Sequence, residues 1–185
     1  SPILVRATHI PATGWQPVVM EQAPTARVDG KVVFDSNRGK AVLFGGATGW
    51  VGEDKWITES DTWEWDGNSW EQKFSEVNPP DRLSHAMAFD EIRGVTVLFG
   101  GKNQQGLLNG TWEWDGESWV ERFPENIPPA RCCHQMYFDN EYGTVRIFGG
   151  YDGEVFYDDI WEWDGVNWQI VMADTPSPVA SGFAR

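Results

Sequence analysis

The phrase Thr62-Trp63-Glu64-Trp65-Asp66-Gly67 returns as Thr111-Trp112-Glu113-Trp114-Asp115-Gly116 and again as Ile160-Trp161-Glu162-Trp163-Asp164-Gly165, at a spacing of 49 residues both times. Self-similarity at such a period means one supersecondary unit used repeatedly, each copy leaning on the next for its core. Other landmarks keep the same register. Phe44-Gly45-Gly46, Phe99-Gly100-Gly101 and Phe148-Gly149-Gly150 each begin 17 residues after an arginine, at Arg27, Arg82 and Arg131. Phe34-Asp35, Phe89-Asp90 and Phe138-Asp139 fall between them, and Trp70, Trp119 and Trp168 close the units. Trp15 precedes Arg27 by 12 residues, as Trp70 precedes Arg82 and Trp119 precedes Arg131, so Trp15 takes the closing slot of an earlier unit.

Within one unit the pattern reads as four short strands. In the second these are His85 to Phe89, Val95 to Phe99, Thr111 to Trp114 and Ser118 to Arg122, rich in aromatic and β-branched residues and separated by turn signals. Asp115-Gly116 between two aromatic strands reads as a tight type I′ hairpin, and Asp90 to Gly94 as a second turn. Four antiparallel strands per unit of this length make a propeller blade.

Composition limits the function. With 28 Asp and Glu against 14 Lys and Arg, the formal net charge is -14. No basic stripe is present to neutralise phosphates, so nucleic acid is excluded as a partner class. The longest apolar runs, such as Ala41-Val42-Leu43-Phe44, are strand-sized, far below the ~20 residues of a membrane span, so no membrane insertion is expected. The first residues lack a basic segment followed by a continuous apolar stretch, so no signal peptide is expected among them. Cys132 and Cys133 are neighbours, which rules out both a disulfide framework and a spaced metal knuckle, and leaves a vicinal disulfide as the one bond open to them.

The segment Arg-x-x-His-x-Met-x-Phe-Asp from Arg82 to Asp90, followed by Val-Leu-Phe-Gly-Gly and Thr-Trp-Glu-Trp-Asp-Gly, resembles the kelch repeat in the form common among bacterial kelch proteins. The resemblance runs from residue 15 to about 178. It implies an all-β, kelch-type β-propeller of three four-stranded antiparallel blades plus a leading outer strand, forming an incomplete ring. The expected divisions are 1–24 for the outer strand of a preceding blade, 25–75, 76–124 and 125–173 for the three blades, and 174–185 for the start of a following blade or a tail. The first unit departs from the pattern in carrying Gly30 where the others have His85 and His134. A kelch ring takes about four to eight blades. The remainder is expected from a longer chain or from a second copy in a homo-oligomer.

Candidate site residues divide into two groups. Arg27, Arg82 and Arg131 follow Pro24, Pro79 and Pro128 at the entrance of each innermost strand. In kelch adaptor proteins the arginine of this slot lines the channel mouth and grips acidic groups, which by resemblance makes these three ligand-binding candidates. Guanidinium forks suit carboxylates through paired bonds. The alternative is a structural pairing of each arginine with a turn carboxylate or a carbonyl. The second group lies on the loops between the second and third strands. Ala47 to Asp61 is six residues longer than Lys102 to Gly110 or Tyr151 to Asp159, and it holds the two tryptophans outside the repeat, Trp50 and Trp56. Tyr151 and Tyr157 repeat the theme on the third loop. Such aromatics form contact surfaces for proteins or sugars, or else cover a blade edge.

The other ten tryptophans occupy repeat slots and are expected to pack between blades. Asp66, Asp115 and Asp164 are turn residues, one per blade. There is no His-x-x-x-His, no zinc spacing and no serine in a nucleophile elbow, so neither a metal nor another cofactor is expected. The leading expectation is therefore a binding scaffold for a protein or glycan. Two rivals stand beside it: an enzyme resembling the kelch-type sugar-acid mutarotases, and a structural assembly module.

Overall fold

The computed structural model describes residues 20, 22–52 and 55–171. The first blade is built from β1 (Lys31–Asp35), β2 (Lys40–Phe44), β5 (Thr62–Trp65) and β6 (Trp70–Lys73), hydrogen-bonded in that order, with β3 (Ala47–Trp50) and β4 (Trp56–Thr58) forming a separate hairpin between β2 and β5. The second comprises β7 (Ala86–Asp90), β8 (Val95–Phe99), β11 (Thr111–Trp114) and β12 (Trp119–Arg122), with a short hairpin of β9 (Lys102–Asn103) and β10 (Gly106–Leu107) in the same place. The third comprises β13 (Gln135–Asp139), β14 (Thr144–Phe148), β15 (Ile160–Trp163) and β16 (Trp168–Ile170). All pairings are antiparallel, and their registers repeat, with Trp65 opposite Trp70, Trp114 opposite Trp119 and Trp163 opposite Trp168. β7 packs beside both β1 and β13, so the first strand of each blade is the inner one. Among the described residues the sheets do not close into a ring. The outer strand expected around Trp15 and the blade start expected at 174–185 lie outside the described residues.

Alternation along the third strand of each blade explains how the blades join. In Thr-Trp-Glu-Trp the two tryptophans point one way and the threonine and glutamate the other, because side chains alternate across a strand. Glu64 is buried on the face turned to the second blade, where its carboxylate accepts Trp114 Nε1 at 3.0 Å. Thr62 Oγ1 accepts Trp119 Nε1 at 2.8 Å. One blade on, Glu113 accepts Trp163 Nε1 and Thr111 Oγ1 accepts Trp168 Nε1, each at 2.8 Å. Trp112, Trp114 and Trp119 pack with Val42, Phe44, Met87 and Leu98 in one interblade core, and Trp163 and Trp168 pack with Val97, Phe99, Val145 and Ile147 in the next. A buried carboxylate costs several kcal/mol unless it is paired and fully bonded. Arg38 satisfies Glu64 at 2.6 Å while its Nε holds Asp35 at 2.5 Å, and Arg93 links Asp90 to Glu113 in the same way. The third blade has Tyr142 where this arginine would stand. Arg146, arriving from β14, takes over with bonds to Asp139 and Glu162, its guanidinium lying 4.2 Å from the Tyr142 ring.

The double glycines meet two demands at once. Gly100 and Gly101 have φ of 67° and 94°, which favour glycine, and a Cβ on Gly100 would stand 2.7 Å from the Arg131 carbonyl oxygen of the next blade. The neighbouring Gly101 N–H donates to that same carbonyl at 2.9 Å. Gly46 makes the matching bond to the Arg82 carbonyl at 2.8 Å.

One turn differs from expectation. Asp115-Gly116 is not a two-residue type I′ hairpin: four residues separate Trp114 from Trp119, and only Gly116 has positive φ, at 103°. Asp115 instead accepts the N–H groups of Glu117 and Ser118 at 2.8 Å through its own carboxylate, an Asx turn that replaces the second left-handed residue. Asp66 and Asp164 do the same.

The glutamate bridge is directly testable. Glu113→Ala strands Trp163 Nε1, Arg93 and Arg122 together and is expected to lower the unfolding free energy by about 3 kcal/mol in urea titrations, whereas the exposed Glu117→Ala stays within about 0.5 kcal/mol.

Candidate binding surface

The three arginines sit where the sequence puts them, at the start of each blade. They are not free cations. Arg27 folds back so that Nε donates to the Thr25 carbonyl, Nη1 to the Gly45 carbonyl, and the two Nη groups grip both oxygens of Asp61 at 2.5 and 2.9 Å. Arg131 is fully buried and repeats the arrangement with the carbonyls of Pro129 and Gly149 and with Asp159 at 2.5 and 2.9 Å. Each carboxylate also accepts an indole, from Trp63 at 2.6 Å and Trp161 at 2.8 Å. Burial alone would raise the carboxyls of Asp61 and Asp159, but the arginine and indole donors outweigh it and hold both below the usual carboxylate range. Tyr157 then covers Arg131, whose guanidinium carbon is 3.9 Å from the ring centroid. Arg27 and Arg131 therefore take up the structural pairing with turn carboxylates that stood beside the ligand-binding role in the sequence. Arg82 makes the carbonyl bonds, to Pro80 and Gly100 at 2.9 Å each, but no carboxylate bond.

The loop aromatics gather as surface features. β3 and β4 pair Trp50 with Trp56, their rings 6.5 Å apart and tilted by 31°. Trp50 is 65% exposed. Trp56 is half-buried between two grooves. One is lined by Arg27, Val28, Ala47, Gly49 and Trp50, and the other by Thr58, Leu83, Lys102, Asn103 and Gln104. Gln104 Nε2 donates to the Trp56 carbonyl at 3.3 Å, tying the inserted hairpin to the second blade's loop. In the third loop Tyr151 stacks on the exposed Phe156 at 4.5 Å, and Tyr157 donates its hydroxyl to Asp152 at 2.7 Å. Trp50 and Trp56 thus adjoin Arg27, while Tyr151 and Tyr157 belong to the Arg131 blade.

Two features were not anticipated. The second residue after each arginine, Asp29, Ser84 or Cys133, is left-handed, with φ of 54°, 55° and 65°. These residues run from blade to blade, Ser84 Oγ donating to Asp29 at 3.0 Å and Cys133 N–H donating to the Ser84 carbonyl at 2.9 Å. Cys132 and Cys133 precede β13, and their sulfurs face each other. They are free thiols 3.1 Å from each other, with Cys133 exposed and the Cys132 thiol pushed up to about 12 by burial and its neighbour. Among the described residues no group of three or more His, Cys, Asp or Glu is placed to hold a metal ion, and no helix is long and apolar enough to cross a membrane.

A family model described as the KLHDC2/KLHL20/DRC7 Kelch-repeats domain matches residues 8–180. The chain belongs to the kelch-repeat family. No curated protein matches it closely enough to add a relative. Kelch domains typically bind proteins, and the four-stranded sheets, double glycines and Trp-bearing third strands described above are the kelch blade in this chain.

His85 and His134 complete the kelch interface as buried rings, not ligands. Each packs edge-on against the phenylalanine of the preceding blade's double-glycine motif, Phe44 at 5.8 Å and Phe99 at 5.6 Å. Burial, then the neighbouring arginine, pushes His85 well below the ordinary histidine value and His134 down to about 4. The unfolded chain, titrating near 6.5, binds these protons first. Stability is therefore fully present above pH 6.5 and is lost as pH falls towards 4. Lowering pH from 7 to 5 is expected to cost about 2 kcal/mol through His134 alone, and His134→Gln removes that share of the slope in urea midpoints measured at both pH values.

Proposed function

We propose that this kelch domain is a non-enzymatic scaffold that binds a protein ligand through the loops between the second and third strands, with the Trp50–Trp56 hairpin as the principal contact. The observation that carries this reading is the placement of Trp50. A 65% exposed indole on a hairpin that breaks the repeat has no role in joining blades, unlike Trp112, Trp114, Trp119, Trp163 and Trp168 in the interblade cores. Large amphipathic rings beside grooves dominate binding energy at interfaces. Tyr151, Phe156 and Tyr157 extend the aromatic surface over the third blade. A stacked, exposed indole also suits the face of a sugar ring, which gives glycans a place in the test.

The outer faces favour further blades of different sequence over closure with a second copy. Trp65 and Trp70 repeat Trp114 and Trp119, and among the described residues they have no Glu and Thr acceptors of their own. Val32 and Phe34 are exposed on the same blade. A preceding blade with a Thr-x-Glu strand matches this face. The third blade offers Glu162 but carries Ile160 in the threonine slot, so a second copy joined head to tail leaves Trp70 without its hydroxyl.

The proposal is tested with Trp50→Ala/Trp56→Ala, a variant that leaves the interblade cores untouched. Immobilised wild-type domain is expected to retain a defined protein from extracts of its native cells. The variant is expected to lose it by tenfold or more, with an unchanged urea midpoint. Retention of the same protein by both forms sinks the reading, and binding confined to a glycan array replaces protein with glycan as the ligand class.

A further inference from the structure

The third blade departs from the repeat at two adjacent positions together. After the entrance arginine the first blade carries Val28-Asp29 and the second Leu83-Ser84, an apolar residue followed by a small polar one, whereas the third carries Cys132-Cys133. Cys132 keeps the first role: it is 4% exposed, and its backbone is bonded both ways to Tyr151, N–H to carbonyl at 3.0 Å and carbonyl to N–H at 2.9 Å. Cys133 keeps the second, being exposed and left-handed, with its N–H donated to the Ser84 carbonyl. Neighbouring side chains of an extended segment point to opposite sides. The left-handed residue breaks that alternation and turns the Cys133 sulfur back to 3.1 Å from the Cys132 sulfur. Among the described residues no third ligating group joins them to make a metal site, so the chemistry of the pair is that of a dithiol.

We propose that Cys132 and Cys133 form a reversible dithiol–disulfide site that exchanges with low-molecular-mass disulfides, with Cys133 as the attacking sulfur and Cys132 as the resolving one. Exposure assigns the roles, because of the two only Cys133 is open to a partner from solution. Its thiolate, the proton having passed to solvent, attacks one sulfur of R–S–S–R, forms Cys133–S–S–R and expels RS⁻, which takes up a proton as RSH. The Cys132 sulfur then gives up its own proton, attacks the Cys133 sulfur and expels the second RS⁻, protonated in the same way. Two electrons and two protons thus pass from the pair to the small disulfide, which leaves as two thiols. Burial, then the adjacent Cys133 thiol, pushes Cys132 up to about 12, so it stays protonated while Cys133 attacks. The mixed disulfide removes the Cys133 charge from beside it, and the Lys102 ammonium favours the resolving thiolate.

The bond so formed is easy to reverse. Adjacent Cα atoms stand ~3.8 Å apart, inside the ~4.4–6.8 Å that an unstrained disulfide spans, so the small ring stores strain. The peptide between the two residues has little room to relieve it, being held by Tyr151 on one side and Ser84 on the other. Strained or exposed disulfides are the reducible ones, and a ring with no residue between its cysteines adds almost nothing by restricting the unfolded chain. The pair therefore acts as a switch and not as a staple. It lies on the third blade and involves neither Trp50 nor Trp56, so it stands or falls independently of the binding reading above.

Mass spectrometry of the whole chain in mixtures of oxidised and reduced glutathione tests the site. The reduced wild type is expected to lose the mass of two hydrogens without accumulating a glutathione adduct, and to regain it in excess reduced glutathione. Cys132→Leu and Cys133→Ser give the third blade the residues of the second, and their urea midpoints report that both are folded. Cys132→Leu is expected to stop at a stable adduct on Cys133, and Cys133→Ser to react about tenfold more slowly than the wild type. Phenylarsine oxide, which requires paired thiols, is expected to bind the wild type one to one and block its oxidation, and to be washed from both variants. The proposal is overturned if the wild type accumulates the adduct without closing the ring, if chains link into covalent dimers instead, if folded Cys133→Ser reacts as fast as the wild type, or if excess reduced glutathione fails to reopen the bond.

Discussion

The indole N–H of one blade donated to a buried glutamate of its neighbour is the interaction on which the remaining architecture depends. Two sheets packed by apolar contact alone can slide, since hydrophobic burial is non-directional. Trp114 on Glu64 and Trp163 on Glu113 remove that freedom, because a displaced indole would leave a buried carboxylate short of a donor. The threonine bonds to Trp119 and Trp168 set a second point on each interface, and two points fix an angle. A buried carboxylate is tolerated here because it never stands alone: for Glu64, donors from Trp114, Arg38 and Lys40 outweigh the effect of burial and keep the group ionised.

That arrangement separates the two ends of the chemistry within a blade. The turn arginines Arg38 and Arg93 are consumed by the interblade glutamates, and the entrance arginines Arg27 and Arg131 by Asp61 and Asp159. A chain with twice as many acids as bases commits several of its few arginines internally, which leaves an acidic exterior. Contact with a partner therefore falls to aromatic groups on the loops, where the rigid blade lets Trp50 and Trp56 be displayed without a cost to the core.

The blades were legible in the sequence because the repeat stated the same local rule three times. Strand Val95–Phe99 matches the expectation at both ends, and His85 proved to lie just before β7 instead of starting it. The entrance arginines are legible from the repeat but their partners are not, since Arg27 and Asp61 are separated by a loop of a length that differs between blades. Asp61, Gly110 and Asp159 each precede a Thr/Ile-Trp-Glu-Trp strand directly, so the exchange of aspartate for glycine is in register with the repeat. The Asp115-Gly116 turn departs from its dipeptide signal for a different reason. A dipeptide reports backbone preference, whereas the side-chain oxygen of Asp115 competes for the same N–H groups and selects a longer loop.

In a repeat protein, sameness carries the fold, and departures show where other demands act. Some departures are repaired nearby: Tyr142 in the turn-arginine slot is offset by Arg146 two residues after the β14 start, which reaches the same Asp and Glu pair from another strand. Such a repair marks the glutamate as indispensable and its donor as replaceable. Gly110 has no such repair. Glu121 stands close to it, yet among the described residues no carboxylate bonds Arg82 or the Trp112 indole, so the second blade forgoes the aspartate that satisfies the same two groups in both neighbours.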